Sequence, residues 1–144
     1  MEEQFGMKKS IMNIPLLAFL IEDDLDDQKF FQIALSRLEK YVRFAIADSG
    51  AQALEKLMDT TFTPNFIFID INMPIMNGVK CLREIRKIGR LNLIPIYMYS
   101  ISADPTITDS CILLGATGSI KKTTKIDILK EVLRGIFQQK LPIG

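Results

Sequence analysis

Short, unbroken apolar runs alternate along the chain with longer stretches whose apolar residues recur at helical spacing. Leu16–Ile21, Asn65–Ile69 and Pro95–Tyr99 are five or six residues long and rich in strand-forming side chains. Continuous rather than alternating apolar character marks strands buried on both faces. Val42–Ala47 and Gly118–Ile120 are weaker strand candidates. Helical periods fill the gaps. Asp26–Lys40 places Phe30, Ile33, Ala34, Leu35 and Leu38 on one stripe, and Ser49 is placed to cap a helix over Ala51–Met58 carrying Ala53, Leu54 and Leu57. Asn77–Ile88 offers Val79, Leu82, Ile85 and Ile88; Asp104 and Pro105 open a helix running to about Leu114, with Gly115 as its stop. Thr124-x-x-Asp127 reads as a capping signal for a last helix carrying Ile128, Leu129, Val132, Leu133 and Ile136. Five strands and five helices in strict alternation imply right-handed crossovers and a parallel sheet covered on both faces.

One domain accounts for the chain from about residue 14 onward. Residues 1–13 read as a flexible leader, 14–140 as the domain and 141–144 as a short tail. The 144 residues include 48% apolar and 24% charged residues, enough for a real core. No apolar run is long enough to span a membrane. Two cysteines, Cys81 and Cys111, lie in apolar stretches without C-x-x-C spacing, the pattern of buried thiols in a reducing, cytoplasmic setting. There is no histidine, which excludes histidine bases, histidine phosphocarriers and most catalytic zinc sites. A net charge of +1 argues against a nucleic-acid binder, and Lys80, Arg83, Arg86 and Lys87 read as a solvated helix face. The average conceals a split: residues 1–79 hold twelve acids and seven bases, residues 80–144 five acids and eleven bases.

In a doubly wound fold, ligands sit outside the carboxyl ends of the strands. The first strand ends in Glu22-Asp23-Asp24, the third in Asp70, the fourth in Ser100 and the fifth in Lys121-Lys122. Taken singly, most of these have ordinary readings: an acidic run opening a helix, a strand-end serine, a surface lysine. Asp70 is harder to set aside, because a carboxylate closing a buried strand needs a partner or a task. Together on one rim they form a coherent chemistry. Clustered carboxylates repel unless a divalent cation joins them, and a few carboxylates with waters suit Mg²⁺. A carboxylate so held can attack phosphorus to form an acyl phosphate, with the metal, Lys122 and Ser100 neutralising the moving group.

Four segments carry a resemblance: Ile21-Glu-Asp-Asp24, Phe68-Ile-Asp-Ile-Asn-Met-Pro-Ile-Met-Asn-Gly78, Pro95-Ile-Tyr-Met-Tyr-Ser100 and Gly115-Ala-Thr-Gly-Ser-Ile-Lys-Lys122. Over roughly residues 14–139 the chain resembles the receiver domain of two-component response regulators, the CheY-like group. The resemblance implies a flavodoxin-like (βα)5 fold with strand order 2-1-3-4-5. It implies Asp70 as phosphoacceptor, Asp23 as direct Mg²⁺ ligand, Glu22 acting partly through water and the Asn72 backbone carbonyl completing the metal shell. Ser100 would be the hydroxyl that turns toward the phosphoryl group, and Lys122, rather than Lys121, the phosphate-binding lysine. Pro74 and Gly78 would shape the neighbouring loop. The implied donor is a sensor histidine kinase or phosphotransfer protein. The first helix and the loops near the site would face that donor; the fourth and fifth helices, with the strand between them, would face the output partner. With only a few residues after the last helix, no output domain is expected, so output would pass to a partner protein, a homodimer or onward phosphotransfer. No enzymatic activity beyond self-phosphorylation and autodephosphorylation is implied.

Other readings fit less well. A haloacid-dehalogenase-type hydrolase wants a second aspartate where Asn72 stands, and a cap segment. A pseudo-receiver predicts a broken acid–aspartate–lysine set, and flavodoxin-like cofactor binding wants a phosphate loop after the first strand. Three positions depart from the family pattern. Ser119 stands where an aromatic switch residue is usual. Thr123 replaces a common proline, so the Lys122–Thr123 bond is expected to be trans. Ile101 follows Ser100 where a small residue is usual, and would narrow access to the phosphoryl group. Ile101→Ala should therefore speed loss of phosphate from the phosphorylated protein, followed by intact mass against time; equal rates in both proteins would reject the gating role.

Overall fold

The computed structural model describes residues 14–102 and 104–139. The expected leader and the tail lie outside them. Strands β1 (Leu17–Ile21), β2 (Arg43–Ala47), β3 (Phe66–Asp70), β4 (Ile96–Ser100) and β5 (Gly118–Lys121) form one parallel sheet in the order β2-β1-β3-β4-β5. Between them run α1 (Leu25–Ser36), α2 (Gly50–Met58), α3 (Gly78–Arg86), a 3₁₀ turn (Gly89–Leu91), α4 (Pro105–Leu113) and, after β5, α5 (Ile126–Phe137). This is the doubly wound sheet expected from the alternation, in the flavodoxin-like strand order that the family resemblance implies.

The period-2 geometry of the strands divides their side chains between two cores. Phe19, Ile21, Ile67, Ile69 and Met98 meet α2, α3 and α4 through Ala53, Leu57, Leu82, Ile85 and Cys111. Ala18, Leu20, Phe66, Phe68, Tyr97 and Tyr99 meet α1 and α5 through Phe31, Ala34, Leu35, Leu129, Leu133 and Ile136. With both faces covered, every residue of β3 and β4 is buried. Chemistry is left to the strand ends. The chain reverses its winding between β1 and β3, and the ends of those two strands are where the acids stand. Both cysteines are buried free thiols, and burial pushes Cys81 up to about 12 and Cys111 upward, which disfavours the thiolate form.

Several local expectations need correction. The first helix stops at Ser36, not Lys40, because Arg37 and Leu38 donate to Ala34 and Leu35 in a tightened final turn. Its inward residues are Gln28, Phe31, Ala34 and Leu35, while Ile33 is exposed. Adjacent Phe30 and Phe31 satisfy a helical period almost equally, and only the packing of Phe31 on Phe68, Tyr99 and Phe44 chooses between them. The last helix begins at Ile126 with Lys125 at its cap and no capping side chain; Thr124 does not cap it, and Thr123 Oγ1 accepts only from the N–H of Lys125 itself, at 3.1 Å. Ile128 and Val132 of that helix are exposed. Arg86 is not part of a solvated face. Its guanidinium donates to the carbonyls of Leu91, Ile94 and Gly115 at 2.9–3.0 Å, tying α3 to two loops. Lys80, Arg83 and Lys87 are exposed as expected. No helix among the described residues is long and apolar enough to cross a membrane.

Two glycines are required by geometry. Gly115, after α4, has φ of +109°, which disfavours any side chain. Gly78 opens α3 with its N–H on the Ile71 carbonyl at 2.9 Å, and a Cβ there would lie 2.2 Å from the Asp70 carbonyl oxygen. Backbone meets backbone at that point, so no rotamer change relieves the clash. Gly78→Ala should lower stability by about 1–3 kcal/mol, read from urea unfolding; an unchanged midpoint would show that the loop can withdraw.

Candidate functional site

The strand ladder places the candidate residues. Ile21 of β1 pairs with Ile69 of β3, so Glu22 and Asp70 follow on neighbouring strands. Asp70 is itself the last residue of β3, paired with Tyr99 of β4, and Ser100 closes β4 opposite Lys121. The apolar runs of the third, fourth and fifth strands stop one residue short of these ends, and Asp70, Ser100 and Lys121 are held by the sheet rather than by loops. Beyond β5, Lys122 N–H donates to the Ser100 carbonyl at 2.7 Å, which turns the lysine stem toward the same rim.

Glu22, Asp70 and Ser100 are almost completely buried, whereas Asp23 is exposed. Lys122 Nζ lies 2.8 Å from Glu22 Oε1, 2.8 Å from Asp27 Oδ2 and 3.4 Å from Asp70 Oδ1. The contact with Asp27 is a hydrogen bond; that with Asp70 is an ion pair at longer range. Below the ammonium lies the Tyr99 ring, its centroid 5.1 Å away. Burial opposes the charge on Lys122, but the hydrogen-bonded carboxylate of Asp27 and the close carboxylate of Glu22, with the charge of Asp70 behind them, outweigh it and hold the ammonium well above the usual lysine range. Burial pushes Glu22 up from 4.5 to about 8; Lys122 pulls it down and Asp70 adds to the rise.

Carboxylate oxygens of Glu22, Asp23 and Asp70 lie within 4.8 Å of one another. Glu22 Oε1 is buried and, among the described residues, accepts no hydrogen bond despite its short distance to Lys122. An acceptor with spare capacity beside two further carboxylates suits a hard divalent cation with its waters. The residues present therefore fit a metal. Asp70 Oδ1 also accepts from Asn72 N–H at 3.3 Å, and Ser100 Oγ accepts from Ser102 N–H at 3.3 Å.

The structure brings together Glu22, Asp23, Asp70 and Lys122, with Ser100 one ladder step away and Asn72 two residues past Asp70. Lys121 is exposed and turned away. The departures are also located. Ser119 pairs with Met98 and is exposed, Ile101 is exposed, and the Lys122–Thr123 bond is trans. The sequence reading missed three supporting residues. In the sequence Asp27 is one of an acidic run opening a helix, Tyr99 lies in an apolar strand, and Gln28 carries no distinguishing mark. Gln28 donates to the Glu22 carbonyl at 2.7 Å and to Asp48 Oδ1 at 3.0 Å, pinning α1 to the rim. A buried glutamine one turn into an amphipathic helix carries no signal in one sequence. Asp27 carried one: it sits one turn after the Asp24 cap, whose Oδ1 accepts from Asp27 N–H at 3.0 Å. Past Asp70, Ile75 takes a φ of +66° and stands fully exposed, a strained placement for a β-branched residue that re-aims the chain toward Gly78.

The family described as Response regulator receiver domain matches residues 18–134. Chemotaxis protein CheY of Pseudomonas aeruginosa is 30% identical over 123 residues, covering 85% of this chain and 98% of that protein. Response regulator sskA of Aspergillus fumigatus is 32% identical over 88 residues, 61% of this chain; the match spans only 10% of that longer protein. Among solved structures, the phosphorylated cyanobacterial phytochrome response regulator RcpA superposes with a TM-score of 0.80 at 24% identity, over 90% of this chain and 99% of that one. The Mn²⁺-bound response regulator Rcp1 gives 0.75 at 23% identity, over 90% and 97%. At those identities the structural likeness speaks to the fold.

The raised pKa of Glu22 has a stability consequence. The folded protein retains a proton that the unfolded chain releases above about pH 4.5, so stability falls as pH climbs from 4.5 toward about 8. Lys122, with its pKa raised in the folded state, contributes stability that is constant through that window and lost only at strongly alkaline pH. In metal-free buffer, Glu22→Gln should remove this decline, so that its stability changes less than wild type between pH 5.5 and 8. Urea unfolding at pH 5.5 and 8 measures it; parallel slopes in the two proteins would contradict the assignment.

Proposed function

Given that the chain belongs to the response regulator receiver family, we propose that it is a phosphoacceptor signalling protein of a two-component phosphorelay, with Asp70 taking the phosphoryl group. The observation that carries this reading is the arrangement at Asp70. A buried carboxylate ends β3 with Glu22 and Asp23 on one side and the Lys122 ammonium 3.4 Å away on the other. An Asp70 oxygen attacks phosphorus, and the bond from phosphorus to the donor nitrogen breaks, its electron pair leaving with the donor imidazole. This chain has no histidine, so a histidine kinase or phosphotransfer protein supplies it. Lys122 faces the phosphoryl oxygens, and the Ser100 hydroxyl, once released from Ser102 N–H, donates to one of them. Bound by Asp23, Asp70 and the Asn72 carbonyl, with Glu22 through water, Mg²⁺ would supply positive charge against the same oxygens. In dephosphorylation a water oxygen attacks phosphorus and gives up a proton, the bond to Asp70 breaks with its electron pair returning to the carboxylate, and inorganic phosphate leaves. No other catalytic activity is proposed.

Phosphorylation adds charge at a rim where β1, β3, β4 and β5 converge, and biases the surrounding loops between two arrangements. The match to nearly the whole length of CheY supports a receiver that signals through a separate output protein. Two buried free thiols support a reducing, cytoplasmic setting.

Incubation with acetyl phosphate and Mg²⁺ should add one phosphoryl group to the wild-type mass and none to Asp70→Asn, and chelation of the metal should suppress the adduct. An unmodified wild type with every small donor would leave only a constitutive interaction module. Repeated turnover of a phosphate ester would indicate a hydrolase.

A further inference from the structure

Lys122 is the cation nearest Asp70, yet its shorter, hydrogen-bonded contact is with Asp27, at 2.8 Å against 3.4 Å. Resting on the phosphoacceptor reading above, we propose that Asp27 is a positioning residue that competes with the phosphoryl group for the Lys122 ammonium, and so sets how readily the phosphorylated state is held. The three carboxylates around Lys122 differ in what they lose when it moves. Glu22 is sealed from solvent and stays unsatisfied without the ammonium. The Asp27 side chain keeps 36% of its surface exposed and can take water in its place. When a doubly charged phosphoryl group forms on Asp70, the ammonium swings from Asp27 and keeps Glu22. No covalent bond changes in that exchange; one ion pair is traded for another.

The position of Asp27 is fixed from two sides. Its N–H is held by the Asp24 cap, and the next residue, Gln28, anchors α1 to the Glu22 carbonyl and to Asp48. The backbone that carries the competing carboxylate therefore stays in place when the ammonium moves. The carboxylate also adds a negative charge beside the incoming one. Removing the Asp27 charge relieves both the competition and the repulsion, favouring the phosphorylated form, while giving no advantage to a cation bound alone.

The test compares wild type, Asp27→Asn and Asp27→Glu by calorimetric titration with Mg²⁺ alone and with Mg²⁺ plus beryllofluoride, a phosphoryl mimic, after thermal unfolding has shown each to be folded. Asp27→Asn should bind the mimic about five-fold tighter and hydrolyse the Asp70 phosphoryl group correspondingly more slowly, with Mg²⁺ alone bound no more tightly than by wild type. Asp27→Glu, which keeps the charge, should stay within about two-fold of wild type. A folded Asp27→Asn that binds the mimic equally or more weakly overturns the proposal, as does equal tightening in Asp27→Glu, which would place the effect in packing rather than charge. Tighter binding of Mg²⁺ alone by Asp27→Asn overturns it too. Wild type that binds neither Mg²⁺ nor the mimic overturns the phosphoacceptor reading and the Asp27 proposal with it; loss of the second alone leaves the first standing.

Discussion

A glutamate with no access to solvent, Glu22, faces a single ammonium, Lys122, and the site is organised around that pair. Neither charge is stable there alone: a buried carboxylate without its cation takes a proton or draws in water, and a buried ammonium needs its acids. The pair also spans the sheet. Glu22 follows β1 and Lys122 follows β5, with β3 and β4 between them. Only a long, unbranched side chain ending in a point charge reaches across two strands, over the Tyr99 ring, to meet the acids at the far end. The charge imbalance between the two halves of the chain thereby becomes a local neutralisation at one rim.

That rim is polar because nothing else in the sheet can be. Helices cover both faces, so alternating side chains along β1, β3 and β4 enter one core or the other, and the strand ends are the first positions open to chemistry. Asp70 and Ser100 belong to the hydrogen-bonded ladder, which gives them a rigidity that loop residues lack. The loop after Asp70 is shaped from both ends, by an exposed Ile75 in a left-handed conformation and by Gly78 pressed against the Asp70 carbonyl. The acids are thus held close by covalent and ladder geometry, while the lysine that balances them has several partners to choose from.

Departures from the family pattern fall on the side of the site formed by β4 and β5. Ser119 is exposed and paired with Met98, leaving a small polar group where the family usually carries a ring. Ile101 stands exposed just beyond Ser100. The acidic side, by contrast, is rich in charge, since Asp27 joins Glu22 and Asp70 as a third carboxylate within reach of Lys122.

The alternation of strands and helices, the parallel sheet and the placement of Glu22, Asp23, Asp70, Ser100 and Lys122 at strand ends were legible from residue pattern, and the strand order from the family resemblance. The pattern is short-range: unbroken apolar runs, helical spacing, proline and glycine punctuation, and polar residues closing buried strands. What the chain alone left open depends on neighbours distant in sequence. Phe31 rather than Phe30 faces inward because Phe68 and Tyr99 lie opposite it. Arg86 is a clamp rather than a solvated cation because two loops present their carbonyls to it. Asp27 reads as one of several acids at a helix start until the sheet brings Lys122, 95 residues away, within hydrogen-bonding distance. Residue types and local periods determined which groups stand at the rim; the distances that decide which ammonium serves which carboxylate exist only once the sheet has closed, since Coulomb and hydrogen-bond energies depend on separation in space and not along the chain.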